Sequence, residues 1–164
     1  MKARWIRLGA LEPDEFELVC ARLAAVQSKN AAPALLWALA EAEYRFALIA
    51  PRKFVPGRIK RWISWALAPA VATYRQFGVP AYLESEAIWL HGRRIASARR
   101  KAIGECALVA SSFLAQFPTQ CVAIASRDLE EAFRIRLEAQ HGWQFDHSWP
   151  TEPERAVSPV PSFS

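Results

Sequence analysis

Between Ala87 and Leu114 the chain reads AIWLHGRRIASARRKAIGECALVASSFL, and few folds accept that order of residues. Ala87 to Leu90 is a short apolar run. His91-Gly92 supplies a two-residue turn, with Gly92 free to take a positive φ. Arg93 to Ala98 reads as the return strand, Lys101 to Glu105 as a second turn, and Cys106 to Leu114 as an apolar, buried strand. Arg93, Arg94, Arg99, Arg100 and Lys101 place five cations on or beside one hairpin arm. A buried sheet does not hold that many unpaired cations, so their head groups must reach water or an anion.

The rest of the chain fits around this segment. Arg4 to Leu8 predicts an opening strand closed by Gly9. Pro13-Asp14-Glu15 suits a helix start, and Phe16, Val19, Cys20, Leu23 and Val26 then recur at helical spacing. Ala34 to Ala40 is compatible with a short helix or a buried strand, while Tyr44 to Ile49 predicts a strand. Arg58 to Phe77 predicts a long helix stopped by Gly78, with Pro69 expected to kink or split it. A last helix opens at Ser126 or Asp128, turns Leu129, Phe133 and Leu137 inward and stops at Gly142. Val122 to Ala125 is either a strand fragment or the approach to that helix. Trp143 and Trp149 are expected to pack back on the body, and the Pro- and Ser-rich residues 150–164 to form a disordered tail. The fold class is therefore α+β, a mostly antiparallel sheet covered by helices, in a single domain over residues 1–149.

Composition narrows the function classes. Twenty-one basic against 16 acidic side chains give a net charge of +5, which favours an anionic partner without choosing one. Cys20, Cys106 and Cys121 are an odd set with no CxxC spacing, which fits buried thiols in a reducing compartment. His91, His141 and His147 have no metal-ligand spacing, so no metal site is expected. Ser111-Ser112 lacks the flanking glycines of a nucleophile elbow. Glu84 and Glu86 alternate around Ser85 with no base to pair them, which suits solvated acids. The seven tryptophans fall mostly in apolar runs and suit core packing better than base stacking, so nucleic acid is not expected as a partner. A second basic cluster, Arg52, Lys53, Arg58, Lys60 and Arg61, opposes the dipole of the helix it precedes. It reads as a solvated loop, or as a contact for an acidic carrier protein or nucleic acid. No apolar stretch reaches the ~18 residues of a membrane span, and no signal-peptide pattern follows Met1, so a cytoplasmic location is expected.

The run Gly92-Arg93-Arg94-Ile95-Ala96-Ser97-Ala98, followed by Ile103-Gly104-Glu105 and the strand toward Phe117-Pro118, resembles the signature hairpin of the lipoate–protein ligase and biotin ligase superfamily. There a strand and glycine turn lead into G-R-K-I-x-G-S/T-A. The approach through Ala68-Pro69-Ala70-Val71 and Phe77-Gly78-Val79-Pro80 is similar too, so the resemblance covers roughly Ile59 to Pro118, and Arg4 to Gly9 more weakly. It implies a shortened, divergent catalytic domain with the class II synthetase-like fold.

The resemblance also assigns roles. Arg94 stands at the position of the family's catalytic lysine, which holds the phosphate of an acyl-adenylate. Arginine keeps the charge and changes its shape. Gly92, Arg93, Ser97, Lys101 and Gly104 are the implied ligand-binding residues. Ser97 replaces a glycine, Ala87 replaces an aspartate with Glu86 beside it, and the family's R-R-x-G-G-G loop has no counterpart before Arg58. The cysteine that an octanoyltransferase branch places before the hairpin is missing from Tyr82-Leu83-Glu84-Ser85. Two expectations follow. Either the chain attaches a lipoyl or octanoyl group to a carrier-protein lysine, using ATP and lipoate or octanoate, or it is a non-catalytic relative, a pseudoenzyme without cofactor. The second would bind a lipoyl carrier domain, an acyl ligand or a partner ligase subunit that supplies the absent loop.

Overall fold

A computed structural model describes residues 1–115 and 124–156. Cys121, the approach at Val122, and the end of the hairpin motif at Phe117-Pro118 lie outside the described residues. The main sheet has six strands: β1 (Lys2–Ala10), β2 (Ala34–Leu39), β3 (Glu43–Pro51), β7 (Arg99–Ile103), β8 (Cys106–Leu114) and β9 (Gln144–His147). Their order is β7-β8-β3-β2-β1-β9. A second sheet has three, β4 (Tyr82–Glu84), β5 (Ala87–Leu90) and β6 (Arg93–Ser97), in sequence order. The helices are α1 (Pro13–Ala25), α2 (Trp62–Gln76), α3 (Ser126–His141) and the short α4 (Glu152–Ala156). The α+β class and the mostly antiparallel pairing agree with the sequence; the exception is β1, which runs parallel to both β2 and β9.

Helices cover the main sheet on both faces. Ile6, Leu36, Ala47, Ile49 and Leu108 turn toward Phe16, Cys20 and Leu23 of α1. Trp5, Trp37, Phe46, Val109 and Phe113 turn the other way, toward α2 and α3. This explains why Ala34 to Leu39 shows no alternation that would name it: a strand buried on both faces is apolar throughout. Phe133 anchors the second core, with Phe46 at 4.6 Å and Phe113 at 5.0 Å between ring centroids.

Local chemistry accounts for the helix bounds. Pro13 occupies the first turn of α1, and the Glu12 amide donates to the Glu15 carboxylate at 3.4 Å. Gly142 ends α3 in the left-handed region at φ +71°. Pro69 does not split α2, which is one helix over Trp62–Gln76; the expected helix start at Arg58 is instead a 3-10 turn, Ile59–Arg61. The missing amide of Pro69 leaves only the Trp65 carbonyl without its helical donor, and packing of nine buried α2 residues outweighs that loss.

Five expectations change. Lys101 to Ile103 is strand, not turn, because Arg100, Lys101 and Ala102 pair with Val109, Leu108 and Ala107; the turn is confined to Gly104-Glu105. The five cations therefore do not share one arm: Arg93 and Arg94 are in the small sheet, while Arg99, Arg100 and Lys101 are in the main one. Glu84 and Glu86 do not lie along an extended chain, since Ser85 and Glu86 form a turn with φ +50° and +60° between β4 and β5. Trp149 is 80% exposed although Trp143 is buried. The segment after Pro150 also carries structure as far as Ala156: α4 is tied to Arg4 and Gln27 through Glu154.

Candidate functional site

The hairpin tip takes the conformation its residues suggest. His91 and Gly92 have φ of +52° and +77°, and Leu90 pairs with Arg93 across them. One step further the ladder slips. Trp89 pairs with Arg94 and Ile88 with Ala96, leaving Ile95 as an extra residue. Because Ile88 and Trp89 point to opposite faces, the bulge also separates Arg94 from Ala96, which a regular strand would keep together. Ala96 enters the core and the Arg94 side chain is left exposed.

Arg94 lines a cavity of about 380 Å³ beside the N-terminal turn of α1. Arg45 of β3, Arg99 of β7, Ser97, and Ser111 and Ser112 of β8 also border it. Three acids, Asp14, Glu17 and Glu43, face these cations. Glu43 accepts from Arg45 at 2.5 Å, and Glu17 accepts two bonds from Arg99 at 2.8 and 3.0 Å. Among the described residues the Arg94 side chain has no hydrogen bond or ion pair, so it is the cation the cavity leaves to a ligand, with Asp14 the acid left unpaired beside it. The Ser111 hydroxyl donates to the Ser97 carbonyl at 2.9 Å and ties the end of β6 to β8.

Farther along α1 lies a second cavity, of about 350 Å³. Its apolar wall comes from Cys20, Ala21, Ile63 and Leu108, and Lys101 stands at its edge. Arg100 is engaged by Glu86 at 2.6 Å, while Lys101 has no ion pair among the described residues. Burial, with the Glu17 carboxylate in support, raises the Cys20 thiol well above its ordinary pKa, and burial raises Cys106 in the same direction. Neither is disposed to be a thiolate nucleophile.

The residues implied by the sequence therefore divide. Arg94 and Ser97 border the first cavity and Lys101 the second, while Gly92, Arg93 and Gly104 border neither. Asp14, Glu17, Glu43 and Arg45 were not singled out. Arg45, a lone charge inside the apolar strand YRFALI, was the available signal, because a strand buried on both faces holds a cation only where something answers it. In the second basic cluster Arg52 lies over the Trp62 ring at 5.7 Å and Lys53 donates to the Asn30 side chain at 3.3 Å; all five cations are exposed. No group of three or more potential metal ligands occurs among the described residues. No helix among them is long and apolar enough to cross a membrane.

Solved structures share this architecture. A putative lipoate protein ligase from T. acidophilum with bound lipoic acid superposes with a TM-score of 0.79 at 11% identity, over 96% of this chain and 93% of that one. The chain has the lipoate and biotin ligase fold. A bi-partite lipoate protein ligase and its E2 lipoyl domain from Thermoplasma acidophilum give 0.79 at 10% identity, covering 96% and 90%. A biotin acetyl coenzyme A carboxylase synthetase from Helicobacter pylori with bound biotinylated ATP gives 0.62 at 12%, covering 85% and 75%. No protein-family model matches the sequence, and no curated protein matches it. Within the lipoate and biotin ligase fold, the hairpin of β5 and β6 and the groove beside α1 each carry a cation without an ion pair among the described residues, Arg94 and Lys101.

Proposed function

We propose that the protein is lipoate–protein ligase-like and binds an acyl group joined to a phosphate along the α1 groove. The observation that carries this reading is Arg94, unpaired at a polar cavity that adjoins an apolar one. A phosphate suits the first compartment, where a guanidinium offers paired donors to its oxygens. A short saturated chain suits the second, walled by Ile63, Leu108 and Ala21. In the reaction this supports, the carboxylate of lipoate or octanoate attacks the α-phosphorus of ATP and pyrophosphate leaves. A carrier lysine amine then attacks the acyl carbonyl, and AMP leaves with the bonding pair. Arg94 would hold the negative charge that the phosphate keeps through both steps.

The fold neighbour with an E2 lipoyl domain makes such a domain the carrier to test, and its bi-partite character makes a partner subunit worth including. A second reading, binding without catalysis, draws on the charge balance of the first cavity. Asp14, Glu17 and Glu43 equal Arg45, Arg94 and Arg99 in number, so the lining offers a triphosphate no net positive charge, and no glycine loop borders it. The deciding experiment incubates the protein with ATP, octanoate or lipoate and a lipoyl domain, and reads the intact mass of the domain. A gain of one acyl group that is lost with Arg94→Ala establishes the ligase. No gain, where a complete ligase does modify the same domain, selects the binding protein.

A further inference from the structure

The two cavities meet at one place. Both are bordered by Glu17, Arg99 and Ala110, and among the described residues they share no others. Asp14, Glu17 and Ala21 recur at helical spacing on one flank of α1, so the cavities follow each other along about 10 Å of helix. Ala110 forms the floor on β8, and it can do so because its methyl group leaves the passage open. Above it the Arg99 guanidinium reaches from β7 to α1 and takes both Glu17 oxygens. We propose that Glu17 and Arg99 form a strap across a single groove, and that a ligand long enough to fill both compartments displaces it.

The exposure of the pair makes it a strap and not a wall. The Arg99 and Glu17 side chains are 77% and 40% exposed, so water competes for both and salt screens them. Such a pair opens at little cost, unlike a buried one. No backbone has to move, because both groups sit at the ends of flexible side chains. The strap thereby discriminates by length: a ligand confined to either compartment leaves it closed, and a spanning ligand must break it.

This inference rests on the groove being the acyl-phosphate site, and the test separates the two. Calorimetric titration would compare inorganic phosphate, which fits the Arg94 end alone, with n-octyl phosphate, which spans. Wild type, Glu17→Gln and Arg99→Gln would be measured. The ratio of octyl phosphate to phosphate affinity is expected to rise in both variants, by up to about fivefold. A general charge effect would shift both probes together, upward in Glu17→Gln and downward in Arg99→Gln, with the ratio constant, and that result overturns the strap alone. If wild type binds neither probe, the groove reading falls and the strap with it.

Discussion

Arg4 grips Glu154 with both terminal nitrogens, at 2.7 and 2.8 Å, across 150 residues of sequence. The first strand is thereby fastened to the last helix. Burial alone would raise the Glu154 pKa, but bonds from Arg4, the Thr151 amide and Gln27 outweigh it and hold the carboxyl at about 2. A carboxyl depressed in the folded state adds stability above its unfolded pKa and loses it as pH falls through the folded value. The contribution should therefore be complete above about pH 5 and fade toward pH 2. Urea melts of wild type and Glu154→Gln are expected to differ at pH 7, by about 1–3 kcal/mol, and to converge in that acidic window.

His141 is also held deprotonated, but in its case that form is the neutral one. Its ring stacks on Trp65 at 4.4 Å and lies 4.8 Å from Trp143, and Nε2 is buried without a hydrogen-bond partner. Burial lowers its pKa to about 4 from an ordinary 6.5, despite the backbone bond that opposes the shift. The imidazole is neutral in the folded protein, so stability should fall as pH drops from about 6.5 toward 4. The proton titration of His141 by NMR should show a midpoint near the lower value, and His141→Phe should remove the pH dependence in that range.

Arg94→Lys separates charge from shape. Both residues are cationic, but only the guanidinium presents a planar fork. If the lysine of the resembled hairpin acts as a point charge on phosphate, Arg94→Lys should keep phosphate binding or improve it. Arg94→Ala should weaken phosphate binding at least tenfold, consistent with loss of a charge-assisted hydrogen bond of about 1.5–3 kcal/mol. Isothermal titration with inorganic phosphate measures both, and equal affinity in all three proteins removes Arg94 from the site.

Phe133 should be the costliest single truncation in the core around α3. Phe46, Phe113 and Trp37 surround it, and it is fully buried. Phe133→Ala leaves a void those rigid rings cannot fill, and a loss of about 3–5 kcal/mol is expected in denaturant unfolding.

What the sequence made legible follows from how locally each feature is determined. The His91-Gly92 turn, the Pro13 helix start and the Gly142 stop are set by single residues, and all three stand where their chemistry puts them. The inward set Leu129, Phe133 and Leu137 of α3 was equally clear from spacing. Features that depend on distant partners were not legible. Nothing local marks Arg99 to Ile103 as strand, because its ladder is made with β8 and its side chains are mostly charged. The switch from one sheet to the other at Ala98 breaks no hydrophobic pattern. Likewise Glu17 enters the site only because α1 is brought to it by the fold.

The placement of β1 has a consequence for biosynthesis. Its neighbours are β2, available early, and β9, which leaves the ribosome more than a hundred residues later. One edge of the first strand therefore stays open until β9 has been made, offering backbone groups to any other extended chain. Protection of that edge in the growing chain has to come from outside its own N-terminal half.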